Sequence, residues 1–178
     1  GTGSNPATPP GDLSLLNNSW IGSFGNTTTD KEALRRADWS IDTHNIMMLN
    51  GIANSGSHSP LMSFGFNCVS VGMENGKHTA DPVPSGFDLA GRQIPLIVAA
   101  QNTTSSATGV VSAATALLLE TAQTHPNTAG NFFASLSETT KAVLLAGGNH
   151  LVGWTNNPEL SGPNRGRTNQ PIDAVFGV

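Results

Sequence analysis

The chain has 178 residues, 37% of them hydrophobic and only 11% charged, with a formal net charge of −4 at pH 7. That apolar fraction sustains one globular domain with its own core and is far too high for a disordered tail. So few cations leave no stripe to neutralise phosphates and no polybasic face for acidic lipids, so neither nucleic acid nor a membrane is expected as a partner.

Residues 1–11 are rich in Gly, Pro, Ser and Thr and read as a loop cut from a longer chain. Residues 13–16, apolar almost throughout, form the first expected strand and suit a central position whose outer neighbour comes from upstream. Residues 30–38 read as a helix, acidic at its start with Arg35 and Arg36 later, the arrangement that complements the helix dipole. Two further strands follow: residues 46–49, apolar on both faces as in a buried parallel sheet, and residues 67–71. The second contains Cys68, the single cysteine, which excludes an internal disulfide and is expected to pack as a small hydrophobe.

The segment Gly72-Met73-Glu74-Asn75-Gly76-Lys77 resembles a phosphate loop, but it is one residue short and His78 stands where a hydroxyl should meet magnesium. A hairpin turn at Asn75-Gly76 is the expectation instead. Residues 94–99 make a fourth run, followed by polar residues 101–106 and a long helix of Ala, Val and Leu to about Gln123. Small residues around this helix predict tight packing on all its sides. The last helix covers residues 137–146 and closes at Gly147 and Gly148, after which 149–178 is a loop-rich extension. Alternating strands and helices predict an α/β fold with a mostly parallel sheet and flanking helices, in a single domain.

The five histidines are scattered, with no HExxH pair, and read as surface or loop residues; no metal and no cofactor is expected. No serine has glycine two residues before and two after, which removes the nucleophile elbow of the α/β-hydrolases and counts against a lipid or ester hydrolase. No apolar run approaches the roughly 20 residues that span a bilayer, and the N-terminus has no signal-peptide pattern. Polarity carried by Asn, Ser, Thr and Gly is common in secreted hydrolases, and a secreted or extracytoplasmic location is the expectation.

Residues 102–117 carry the chemistry. Read alone, they are a hydroxyl-rich cap entering an Ala-rich helix. A serine there lies at the positive end of the helix dipole, where a developing oxyanion is stabilised. The stretch Thr104-Ser105-Ser106-Ala107-Thr108 resembles the core of the Gly-Thr-Ser-x-Ala-Thr-Pro motif of the subtilisin-like serine peptidases. Three more segments are similar to that family in its order. Asn17-Asn18-Ser19-Trp20-Ile21-Gly22 resembles the substrate-binding strand, residues 49–56 the turn that supplies an oxyanion-hole asparagine, and residues 94–99 the strand leading to the serine.

The resemblance implies the C-terminal half of a subtilisin-like catalytic domain, with a doubly wound, mostly parallel sheet. Ser105 is then the nucleophile and Asn54 the oxyanion-hole side chain. Asn17, Asn18, Ser19, Trp20, Ile21 and Gly22, with Asn50, Gly51, Ile52 and Ala53, would pair with extended peptide or protein substrate and wall its pocket. The catalytic Asp and His belong upstream in this family, so the upstream half of the domain is an implied partner. Thr103, Gly109, Ala53, Ile21, Leu96 and Ala100 depart from the motifs. Thr103 bears most on activity, because it replaces a Gly that lets the backbone approach the nucleophile. An inactive pseudo-peptidase, acting as a binding or structural module, is the alternative.

Overall fold

In the computed structural model, which describes residues 11–88, 92–168 and 170–178, the buried apolar runs line up as parallel strands. These are Leu15–Asn18 (β1), Met47–Gly51 (β2), Val69–Met73 (β3) and, beyond a short antiparallel ribbon of Asp81–Pro82 (β4) and Gln93–Ile94 (β5), Ile97–Ala99 (β6). The sheet order is β1-β2-β3-β6, with Leu15 opposite Met47, Leu49 opposite Val69 and Val71 opposite Ile97. β2 and β3 are buried along their whole length.

Side chains alternate across the sheet, and both faces are covered. Met47, Leu49, Val69 and Val71 pack on one side with Ala107, Val111, Leu119 and Leu144, which come from helices Thr104–Thr124 (α2) and Ser137–Ala146 (α3). Met48 and Cys68 pack on the other with Ala37 and Ile41 of helix Thr27–His44 (α1). The fold is therefore α/β, with a four-stranded parallel sheet between helices. Burial of each large side chain in these clusters contributes about 1.5–3 kcal/mol.

The elements differ from the sequence expectations where capping and side-chain partners decide the ends. α1 is longer because Asn26 accepts from the amides of Thr28 (2.9 Å) and Thr29 (3.2 Å), and Asn45 closes the other end in the left-handed region at φ 53°. β1 is shifted toward the C-terminus by two residues, since Asn18 Nδ2 donates to Asn50 Oδ1 (2.8 Å) and extends the pairing with β2. The run at 94–99 divides into β5 and β6 around Pro95, which has no amide proton for a ladder. α2 begins at Thr104, inside the stretch read as polar loop.

Other expectations need correction. Asn75-Gly76 does form a turn, with Gly76 at φ 68° donating to Met73 O (3.0 Å), but it is not a hairpin, because β2 and β6 already occupy both flanks of β3. α3 closes at Gly147 as expected, though in the right-handed region at φ −83°. α2 is not packed on all sides. Its buried face is Thr104, Ala107, Thr108, Val111, Ser112, Thr115 and Leu119, whereas Val110, Ala113, Ala114 and Leu117 form an exposed stripe. The loop expected for residues 1–11 lies outside the described residues except for Gly11, which is in a turn. Residues 149–178 have no helix or strand among those described, only isolated bridges such as Pro158 to Thr168 and Asp173 to Gly177.

Candidate active site

The C-terminal ends of β1, β2 and β6 meet the N-terminus of α2, the end of a parallel sheet where open α/β folds hold their ligands. From β2 the chain runs through buried Ile52 and Ala53 to exposed Asn54. Thr104, the first residue of α2, ties this turn to the helix: its amide donates to Asn54 Oδ1 (2.8 Å) and its hydroxyl to Ile52 O (2.6 Å). Gly51 permits the approach, since a Cβ there would lie 3.1 Å from Thr108 Oγ1 and 3.4 Å from Thr104 Oγ1.

β1 reaches the same point from the other side. The Ser105 hydroxyl donates to Ser19 O (3.1 Å), and the Ser19 hydroxyl lies within reach of both Ser105 O (3.2 Å) and Asn17 Oδ1 (3.0 Å). Ser105, Asn54 and Ser19 are thus brought together from sequence positions far apart.

The hydrogen bonds also identify what is left free. Only an oxygen can accept from Thr104 N–H, so the Asn54 amide is oriented with Nδ2 unspent, and it has no acceptor among the described residues. At the start of α2, the Thr104 amide is taken by Asn54, the Ser106 amide by Thr103 Oγ1 (3.1 Å) and the Ala107 amide by Thr103 O (3.0 Å). The Ser105 amide has no acceptor among the described residues. Two donors, Ser105 N–H and Asn54 Nδ2, therefore flank the start of a 21-residue helix whose dipole is positive there. An oxygen anion is what such a pair receives.

Thr103 departs less than its sequence suggests. Its φ of −140° is extended backbone open to any residue, and its hydroxyl caps the helix. Thr104 is the residue that sequence reasoning passed over. It lies inside the motif, but its amide contact to Asn54 spans 50 positions and leaves no local signal.

The other expected site residues divide. Asn17, Ser19, Trp20 and Ile21 are exposed, with both large apolar side chains at 46%, and Asn18 and Gly22 are half-buried. Asn50, Gly51, Ile52 and Ala53 are buried and committed: Asn50 pairs with Asn18 and Ser70, the Ile52 amide donates to Val71 O (3.2 Å), and Ala53 O accepts from Thr79 N (2.9 Å). They hold Asn54 in place and offer no free strand edge. Gly22 O is engaged by the Leu61 amide (3.0 Å).

No described histidine hydrogen-bonds Ser105, whose hydroxyl is donated to a carbonyl. His78 does lie in a loop, as expected, but that loop is folded inward and leaves the side chain only 8% exposed. Its Nδ1 accepts from the Met73 amide (2.9 Å), which leaves the proton on Nε2 for Val175 O (2.9 Å), and burial pulls its pKa below the ordinary 6.5. Among the described residues, no group of three or more His, Cys, Asp or Glu side chains is arranged to hold a metal ion. No described helix is long and apolar enough to cross a membrane. Compared with protein-family models, with curated proteins and with solved structures, the chain matches none.

Proposed function

We propose that this chain is the C-terminal half of a subtilisin-like serine endopeptidase domain, with Ser105 as nucleophile and an oxyanion hole made by Ser105 N–H and Asn54 Nδ2. The observation that carries the reading is the pair of unspent donors at the start of α2, one of them fixed by the bond from Thr104 N–H to Asn54 Oδ1. The order of the parallel strands, with Asn54 after β2 and Ser105 after β6, supports it.

In the reaction, Ser105 Oγ attacks the scissile carbonyl carbon and gives its proton to an imidazole. The carbonyl oxygen becomes an anion held by the two donors. The intermediate collapses to an acyl-enzyme as the amine leaves with that proton, and water then repeats the cycle. On this reading the imidazole and its orienting carboxylate come from the upstream half of the domain, where the resemblance to the family places them. The upstream half would add a strand to the outer edge of β1, which has no partner among the described residues, and cover the stripe of Val110, Ala113, Ala114 and Leu117. Substrate peptide would lie along the exposed segment from Ser19 to Ile21. A secreted or extracytoplasmic setting is part of the same reading.

A second reading is favoured by one observation: the Ser105 hydroxyl donates to Ser19 O, a bond that leaves it unactivated. Under it the chain is a pseudo-peptidase that keeps the fold as a binding module. The deciding experiment uses the chain extended by its natural upstream sequence. A fluorophosphonate probe should label Ser105, a peptide substrate should turn over, and Ser105→Ala should abolish both. A folded extended chain that neither labels nor turns over belongs to the second reading.

A further inference from the structure

At the opposite end of the sheet, near the N-terminal ends of β3 and β6, the structure has a half-open cavity of about 310 Å³. That is within the roughly 300–1,000 Å³ range of small-molecule pockets. Its walls are mainly apolar, with Val83, Ile94, Leu96, Leu145 and Ile172 from four separate segments. Two cations, Arg92 and Lys141, stand in this lining.

Neither cation has an ion pair among the described residues. The described salt bridges are those of Lys31 and Arg35 with Asp88. Asp38 lies nearby, but its two carboxylate oxygens are taken by the amides of Phe66 (2.9 Å) and Asn67 (2.8 Å). Lys141 Nζ is held by Phe66 O (2.8 Å) and Cys68 O (2.9 Å), which leaves its third proton unassigned. Arg92 lies over the Phe66 ring at 3.9 Å and bonds the carbonyls of Phe64 and Phe87, with Nε buried and without a partner among the described residues. Burial lowers the pKa of both cations, the direction expected of charges taken from water without full compensation.

Of the uncharged polar side chains in the lining, Ser63 spends its hydroxyl proton on Ser59 O (3.1 Å), and two others keep capacity to spare. Ser70 Oγ accepts from Leu96 N (3.0 Å), so its hydroxyl proton is available, and Gln93 Oε1 is a buried acceptor with no described partner. A cavity with two unpaired cations, aliphatic walls, a spare hydroxyl donor and one spare acceptor matches a definite ligand chemistry.

We propose that this cavity is a binding site for a small organic monocarboxylate with an apolar body and one N–H or O–H donor, of the kind presented by an acylated apolar amino acid. The carboxylate meets Lys141 and Arg92, the aliphatic body packs on Leu145 and Ile172, and the donor meets Gln93 Oε1. The site lies at the other end of the strands from Ser105 and does not depend on the peptidase reading.

The test is calorimetric titration of the 178-residue protein with N-acetylleucine, beside N-acetylleucinamide, which lacks the charge, and acetate, which lacks the body. N-acetylleucine should bind at least about tenfold more tightly than either, a difference of about 1.4 kcal/mol. Leu145→Trp, which fills the cavity, should abolish binding, and Lys141→Met should remove the preference for acid over amide. Ile172→Trp serves in place of Leu145→Trp should that variant melt early. Absence of N-acetylleucine binding at 10-fold above millimolar concentration overturns the proposal, as does binding that the filled cavity leaves unchanged.

Discussion

Ser19 and Ser105 face each other across 86 positions of sequence, the Ser105 hydroxyl donating to Ser19 O at 3.1 Å and the Ser19 hydroxyl lying 3.2 Å from Ser105 O. The pair joins the end of the outermost strand to the first turn of α2. Any extended segment bound beside Ser19 therefore lies next to the Ser105 hydroxyl.

Asn54 has two separable tasks, and two substitutions separate them. Asn54→Asp keeps an oxygen for Thr104 N–H at a helix N-terminus, so the unfolding free energy should stay within about 0.5 kcal/mol. It also replaces the Nδ2 donor by an acceptor. Under the peptidase reading proposed above, kcat of the extended chain should fall about 10²–10³-fold, the usual effect of losing one oxyanion donor. Asn54→Ala should match that loss and cost a further 0.5–2 kcal/mol or so of stability through the missing cap. Urea titration and peptide kinetics on the two variants read the tasks independently.

His78 predicts an acid-sensitive stability. Its pKa is lowered in the folded state by burial, so below the ordinary value of 6.5 the unfolded chain takes up a proton that the folded chain resists. Stability from this residue is present above about pH 6.5 and is lost as pH falls toward the lowered folded value. Protonation would turn Nδ1 into a donor facing the Met73 amide, and the contact to Val175 O would loosen with it. Urea unfolding at pH 8 and pH 5 should show a drop in wild type that is smaller in His78→Gln. An equal drop in both assigns the acid response elsewhere.

Gly51 tests the packing that positions Ser105. With Thr108 Oγ1 3.1 Å and Thr104 Oγ1 3.4 Å from a would-be Cβ, Gly51→Ala requires the two threonine hydroxyls, both tied to backbone carbonyls, to give by a few tenths of an ångström. The expected cost is about 1–3 kcal/mol, the usual range for overpacking. The same substitution should weaken the bond from Thr104 N–H to Asn54, read as faster amide exchange at Thr104.

The uncovered surface predicts self-association. Leu117 is 64% exposed and Val110 47%, on one stripe of α2, while β1 leaves an outer edge unpaired among the described residues. Exposed apolar patches and open edges drive association. The 178-residue chain should sediment as oligomers and bind a hydrophobic dye, and Val110→Glu with Leu117→Lys should reduce both. A monodisperse wild-type monomer without dye binding removes the half-domain reading.

The parallel sheet was legible because residues 46–49 read as a run apolar on both faces and because strands alternate with helices along the chain. Ser105 and Asn54 stood out as candidates through the order of short motifs, not through any one of them, and the structure adds that the turn holding Asn54 is bonded to the residue before Ser105. What escaped depends on partners remote in sequence. The ring of His78 is satisfied by Val175, 97 positions away, so a residue that looks like loop is part of the interior. β1 extends to Asn18 because Asn50 stands opposite, and no pattern within residues 13–18 contains that fact. The open stripe of α2 escaped for a different reason: Ala and Val look the same in sequence whether a neighbour covers them or not.

Asn45 links two helices that have little else to do with one another. Its left-handed backbone ends α1, while its side chain accepts from Ser137 N (2.6 Å) and donates to Ser135 O (3.1 Å) at the start of α3, whose own leading residue Leu136 offers no side-chain cap. α3 therefore borrows its N-terminal cap across a loop of about 90 residues, and closing such a loop costs entropy that a ten-residue helix cannot supply alone. The first turn of α3 is thus held only while α1 ends at the proper place. In exchange experiments the amide of Ser137 should open with the tail of α1, as one cooperative unit, rather than with the C-terminal turn of its own helix.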